Sequence, residues 1–253
     1  MGFKDHFSGH AADYTRYRPT YSPELFAWLA QQAPTHTLVW DCATGNGQAA
    51  LGLAAHFDAV IATDASDNQI ATAHVHPRVR YAVAPAENSG IAAGSVDLIT
   101  VGQALHWFDF PAFYAEAARV LKPGGVLAAW SYGLMQVSPA VDAAVWRLYE
   151  PITGPYWPPE RRYVEEQYRS LPFPLDEIAA PAFAMEAEWR LAQLNGYLGT
   201  WSAVQRYRKE RGVDPLALIA DELAAAWGSE QSSRRVRWPL FMRVGRCEAA
   251  GRA

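Results

Sequence analysis

Two carboxylates flank a glycine turn in the first third of this chain. Residues 37–40 form a β-prone run, which Asp41, Cys42, Ala43, Thr44, Gly45, Asn46 and Gly47 follow, and residues 48–56 then read as a helix. Glycine at such a turn lets backbone approach a ligand closely, beside the electropositive start of the helix. The next apolar run, Val60-Ile61-Ala62-Thr63, ends on Asp64, nineteen residues past Gly45. That is close to the ~20 expected for a carboxylate that grips ribose hydroxyls. The pattern describes a nucleotide-type ligand held at the end of a strand.

Gly45-x-Gly47-x-x-Ala50 also satisfies the dinucleotide fingerprint, so a nicotinamide or flavin enzyme has to be weighed against other adenosine binders. Asp41 helps to separate them. A carboxylate at the strand end faces a pyrophosphate with like charge, whereas beside a cation it is favourable. S-adenosylmethionine carries a sulfonium, an α-ammonium and an adenosine ribose, and no phosphate. Asp41 also has a local use, as a cap on the turn or on the following helix.

These residues need a frame that places both strand ends side by side. At 253 residues, half of them hydrophobic and 19% charged, the chain suits one α/β domain with an added lid. The net charge of −4 gives no electrostatic case for nucleic acid, and Arg234-Arg235-Val236-Arg237 reads as the solvated face of a strand. Cys42 and Cys247 have no disulfide-scaffold or zinc spacing, so no metal is expected and both thiols are read as reduced. No apolar run approaches ~18 residues and no signal-type segment opens the chain, so a soluble, cytoplasmic protein away from membranes is expected, of unknown oligomeric state.

Ser22-Pro23 predicts a helix over 22–32, with Ser22 as N-cap. Ser66-x-x-Gln69 has the form of a capping box and predicts a helix to about residue 75. Further strands are expected over 79–84, 95–101 and 126–130, with a helix over 111–121 ended by Lys122-Pro123-Gly124-Gly125. The alternation argues for a parallel sheet with helices on both faces and the ligand at the carboxyl ends of its strands. Residues 182–191 and 235–244 are read as two later strands joined by a helical excursion. The excursion carries Trp201, Tyr197 and Tyr207, and with Trp146, Trp157 and Tyr163 before it could cover the ligand edge as an aromatic pocket or pack as plain core.

Asp41, Gly45-x-Gly47, Asp64, Ala84-Pro85-Ala86-Glu87, Ser95-Val96-Asp97-Leu98 and Arg119-Val120-Leu121-Lys122-Pro123-Gly124-Gly125, in this order, resemble the motifs of class I S-adenosylmethionine-dependent methyltransferases. More narrowly, Tyr14-x-x-Tyr17-Arg18-Pro19-x-Tyr21, Gln103-Ala104-x-His106-Trp107-Phe108 and Gly196-Tyr197-Leu198-x-Thr200-Trp201-Ser202 resemble the subgroup containing trans-aconitate methyltransferases. The resemblance implies a single domain over 1–253, with a Rossmann-like, doubly wound seven-stranded sheet, mostly parallel with an antiparallel last hairpin. Within it, 34–135 would be the cofactor core and 136–230 a mainly helical insertion covering the substrate. It assigns Asp41, Ala43, Gly45, Gly47, Asp64, Ala86, Glu87 and Gln103 to S-adenosylmethionine, with Ala65 and Gln69 beside them. Tyr14, Arg18, Tyr21, Trp107, Tyr132, Trp201 and Ser202 would face the methyl acceptor. One departure is Ala43, where the family has the loop's first glycine; a positive φ there would be costly for alanine.

Methyl transfer is an in-line displacement that rewards alignment and desolvation more than acid catalysis. A carboxylate acceptor is already ionised and needs no base. Alcohols, phenols and amines benefit from one, and His106 is the candidate, with a positioning role as the other reading. Arg18, Arg161, Arg208 and Ser202 could recognise an anion. The expected function is thus methyl transfer to a small molecule, most simply a carboxylate-bearing metabolite. A nicotinamide oxidoreductase and a noncatalytic S-adenosylmethionine-binding protein are the alternatives.

Overall fold

The computed structural model describes residues 19–247. Tyr14, Arg18 and the motif they belong to lie outside the described residues, apart from its last positions. Helix α1 (Pro23–Gln32) precedes β1 (Leu38–Cys42), α2 (Gln48–Leu53), β2 (Ala59–Asp64), α3 (Asp67–Ala71) and β3 (Val79–Val83). Then come β4 (Val96–Gly102), α4 (Phe110–Val120), β5 (Leu121–Tyr132), α5 (Pro139–Arg147) and α6 (Arg161–Glu165). The last third holds β6 (Asp176–Glu177), β7 (Ala184–Trp189), α7 (Leu191–Gly199), α8 (Ser202–Arg211), α9 (Ala220–Trp227) and β8 (Arg234–Arg246).

The strand order is β3-β2-β1-β4-β5-β8, followed by one edge position shared by β6 and β7. The first five strands pair in parallel, and β8 runs antiparallel to β5. The expected seven-stranded sheet is therefore seven positions wide, with its last position split into two strands, because the 13-residue β8 is long enough to pair at both ends. Its Arg246 and Gly245 meet β6, and Arg234 to Pro239 meet β7.

Both faces of the sheet are covered, and alternation decides which side chain goes where. Val39 and Leu98 pack with Leu25, Leu29 and Leu53 of α1 and α2. Their neighbours Trp40 and Ile99 point the other way, onto Phe113 and Val120 of α4. Strand order reverses beside β1, whose neighbours are β2 and β4, and this opens a crevice at their carboxyl ends.

The opposite ends of the strands are fastened by Asp97. It is fully buried and accepts from the N–H groups of Thr37 and Leu38, from Thr35 Oγ1 at 2.6 Å and from Lys122 Nζ at 2.7 Å. Burial would raise its pKa, but the bonds from Lys122, Thr35 and Leu38 prevail and hold it below the usual value. Two of the motifs that suggested a family, Ser95 to Leu98 and the Lys-Pro-Gly-Gly run, thus serve the floor of the sheet.

Several boundaries differ from expectation. Lys122-Pro123-Gly124-Gly125 is a bulge within β5, since Leu121 pairs with Val96 and Val126 with Leu98. α3 stops at Ala71, where Thr72 turns its hydroxyl back onto the carbonyls of Asn68 and Gln69. α2 stops at Leu53 so that the chain can turn into β2. Ser22 precedes α1 without making a side-chain cap bond, whereas Ser66 does cap α3 through Gln69 N–H. Among the described residues no helix is long and apolar enough to cross a membrane.

Candidate active site

A cavity of about 1510 Å³ occupies the crevice at the carboxyl ends of β1, β2 and β4 and extends under the lid. Asp41 lies in its floor, 1% exposed, and accepts hydrogen bonds from Thr44 Oγ1 and from Thr100 Oγ1 at 2.8 Å. Burial raises the Asp41 pKa to about 6, against the pull of those two hydroxyls. The sequence reading missed both threonines. Thr100 had a legible signal, being a polar residue inside a strand buried on both faces.

The turn after β1 is left-handed at three places: Ala43 (φ 55°), Gly45 (φ 58°) and Gly47 (φ 88°). Ala43 thus carries the cost foreseen for it. At Gly45 a methyl group would meet only Gln69 Oε1, at 3.8 Å, so this wall of the cavity is open backbone. Gly47 was expected to touch the cofactor, but it does not line the cavity. A Cβ there would fall 2.2 Å from Tyr81 Oη, so its glycine answers to packing behind the wall and to the turn.

The nineteen-residue spacing closes as a contact. Gly45 N–H donates to one Asp64 carboxylate oxygen and Ser66 N–H to the other, each at 2.9 Å. Ala65, Gln69, Ala86 and Glu87 line the cavity alongside, and Glu87 accepts from the N–H of Asp109, which caps α4. Gln103 (φ 56°) also lines it, but its amide is engaged: Oε1 accepts from Tyr132 N–H at 2.9 Å and Nε2 donates to Tyr132 O at 3.2 Å. What it offers the cavity is strained backbone at a strand end.

The far end is aromatic. Tyr21, Trp107, Tyr132, Trp157, Tyr197 and Trp201 line it with Ser202, His106 and Arg161. Tyr21 and Trp201 are held by edge-on rings, of Trp130 at 5.4 Å and of Tyr149 at 5.8 Å respectively. His106 is buried, with Nδ1 2.7 Å from Tyr168 Oη. Burial, then the charge of Arg161, depresses its pKa to about 3, so the ring is neutral at physiological pH. Arg161 lies over the rings of Trp157 (4.8 Å) and Tyr149 (5.4 Å) and donates from Nε to Tyr149 Oη. No carboxylate among the described residues pairs with it, whereas Arg208 is taken by Asp214. Cys42 is buried and its thiol pKa is pushed up by that burial. Among the described residues no group of three or more His, Cys, Asp or Glu could hold a metal ion.

Residues 40–129, which run from within β1 to within β5 and contain the turn and both acids, match the family of methyltransferase domains. A Dictyostelium discoideum protein named as a methyltransferase is 33% identical over 97% of this chain and 96% of its own. The chain belongs to the class I S-adenosylmethionine-dependent methyltransferases. The structure of a protein described as a type II methyltransferase, from Anaeromyxobacter dehalogenans, is 50% identical, covers 91% of this chain and 98% of that one, and superposes with a TM-score of 0.86. A methyltransferase of Aspergillus candidus is 29% identical over 74% of the chain and 64% of its own. The cofactor of this methyltransferase is S-adenosylmethionine, and the nicotinamide reading of the glycine turn is not favoured. The walls are chemically compatible with it, with a buried acid in the floor, a second acid oriented by two backbone N–H groups, and an open backbone edge between them.

Proposed function

We propose that this methyltransferase transfers a methyl group to a carboxylate oxygen of a small metabolite. S-adenosylmethionine supplies the activated methyl when bound. Asp64, already oriented by two backbone N–H groups, would take the ribose diol, and Asp41 would face the cationic part. Ala65, Gln69, Ala86 and Glu87 would border the adenosine, with Ala43 and Gly45 against the methionine part.

Arg161 is the observation that carries the acceptor reading. Its guanidinium stands in the aromatic end of the cavity, oriented by Tyr149 and matched to no acid among the described residues. A partly desolvated, unpaired arginine is costly unless a ligand anion completes it. The ring box of Trp157, Tyr197 and Trp201 would exclude water around an acceptor of modest size, and a net charge of −4 suits no nucleic acid. An ionised carboxylate needs no base, which accords with a histidine whose depressed pKa makes it a poor proton acceptor.

Incubation with methyl-labelled S-adenosylmethionine and a panel of organic acids, amines and RNA tests this. Labelling of acids is expected, and labelling confined to amines or RNA would reject it. Arg161→Met is expected to raise KM for the acid roughly 10- to 100-fold, the worth of a charged hydrogen bond, with a smaller change in kcat.

A further inference from the structure

His106 lines the cavity and Tyr168 does not; the phenol stands behind the ring, fully buried, with Oη 2.7 Å from Nδ1. A tyrosine hydroxyl has one proton to give. Among the described residues, Nδ1 of His106 is the sole acceptor within its reach, so a phenol that accepted from Nδ1–H would strand its own proton in the interior. The proton therefore points at Nδ1, and the imidazole's own proton sits on Nε2, on the cavity side of the ring.

The backbone is bent to deliver this phenol. Gln167 (φ 57°) and Tyr168 (φ 61°) are consecutive left-handed residues, neither of them glycine, which an ordinary helix end does not require. Tyr168 N–H closes back on Tyr163 O at 2.8 Å, and Arg243 of β8, itself paired with Glu177, donates to Tyr168 O at 2.8 Å. The turn is thus held from both the lid and the sheet.

We propose that Tyr168 is a positioning residue that locks His106 in its Nε2–H tautomer, so that the site presents a neutral hydrogen-bond donor beside Arg161 rather than a general base. Resting on the carboxylate reading, it places a cation and a neutral N–H on the same acceptor wall, suited to hold one carboxylate oxygen while the other is left to attack. Among the described residues the groups bearing on the pair are Arg161 from α6 and the phenol of Tyr132 from β5, and no carboxylate bears directly on the ring.

Nitrogen NMR of the 15N-histidine-labelled protein, with the His106 signals identified by their loss in His106→Gln, tests the tautomer without any acceptor. A pyridine-like Nδ1 and a pyrrole-like Nε2, unchanged over about pH 5 to 8, are expected, and the reverse assignment or a titration in that range would overturn the proposal. Tyr168→Phe should release the ring into a mixture of tautomers and lower kcat/KM roughly tenfold or more; an unchanged tautomer would remove Tyr168 from the role. His106→Gln, which can still offer an N–H, should retain more activity than His106→Ala, whereas a base would be lost equally in both. Failure of every organic acid as substrate would sink the carboxylate reading alone, since the NMR result does not depend on it.

Discussion

Asp41 and Ala43 both cost the ligand-free fold stability, one through a buried carboxyl and the other through a left-handed backbone. The buried carboxyl of Asp41 has its pKa raised from 3.8 to about 6, so the folded chain holds this proton more tightly than the unfolded chain does. Its contribution to stability is therefore complete below 3.8 and is lost as pH rises through about 6, leaving a cost of about 3 kcal/mol in the ligand-free protein. A cationic ligand reverses the preference. Affinity for S-adenosylmethionine should rise between about pH 5 and 7, with proton release in calorimetry, and Asp41→Asn should abolish both effects. An affinity indifferent to pH would move the cofactor's cations away from Asp41. At Ala43, a left-handed L-residue costs roughly 1 to 2 kcal/mol, and glycine would forfeit about 0.5 to 1 of that in chain entropy. Ala43→Gly should then raise the melting temperature by about 2 to 4 °C; a fall would mean that the Ala43 methyl, packed against the α4 side of the sheet, matters more than the strain.

At the scale of elements, β1 and β4 serve two ends with separate duties. Their carboxyl ends hold Asp41 and Thr100 at the cavity, and their amino ends are tied by Asp97 to Lys122. Asp97→Ala leaves the partly buried Lys122 ammonium and two backbone N–H groups without their acceptor, which should cost about 3 kcal/mol in urea denaturation. Because the folded pKa of Asp97 is lowered, this stabilisation is present above 3.8 and fades as pH falls below it. Cofactor affinity in the folded Asp97→Ala protein should match that of the parent. A marked loss of affinity would show that the floor of the sheet sets the geometry of its rim.

For the molecule as a whole, the cavity joins three strands of the core to a lid contributed by residues far along the chain. A ligand bound there stabilises only the folded state, by about 2.7 kcal/mol at 100 times its Kd. For a chain of this length that corresponds to a rise of roughly 5 to 10 °C in melting temperature. S-adenosylhomocysteine should produce this shift and NAD should not, in the same thermal scan. An equal shift with NAD would contradict the cofactor assigned to this family.

Local rules made much of this protein legible in its residues. Alternating apolar residues such as Val39 and Trp40 dictated strands buried on both faces, and the glycine turn with an acid nineteen residues on dictated a ligand edge between β1 and β2. Those patterns depend on backbone geometry and near neighbours, which a linear sequence contains. The tertiary structure alone decided the partners of the polar groups around the cavity. Thr100 meets Asp41 across 59 positions and Tyr168 meets His106 across 62, and no propensity or spacing selects such pairs. It likewise set Gly47 against Tyr81, where a Cβ would not fit, and closed the amide of Gln103 onto Tyr132. The reason is physical: burial favours polar groups that find a partner, and which partner is in reach depends on how the sheet and the later helices come together.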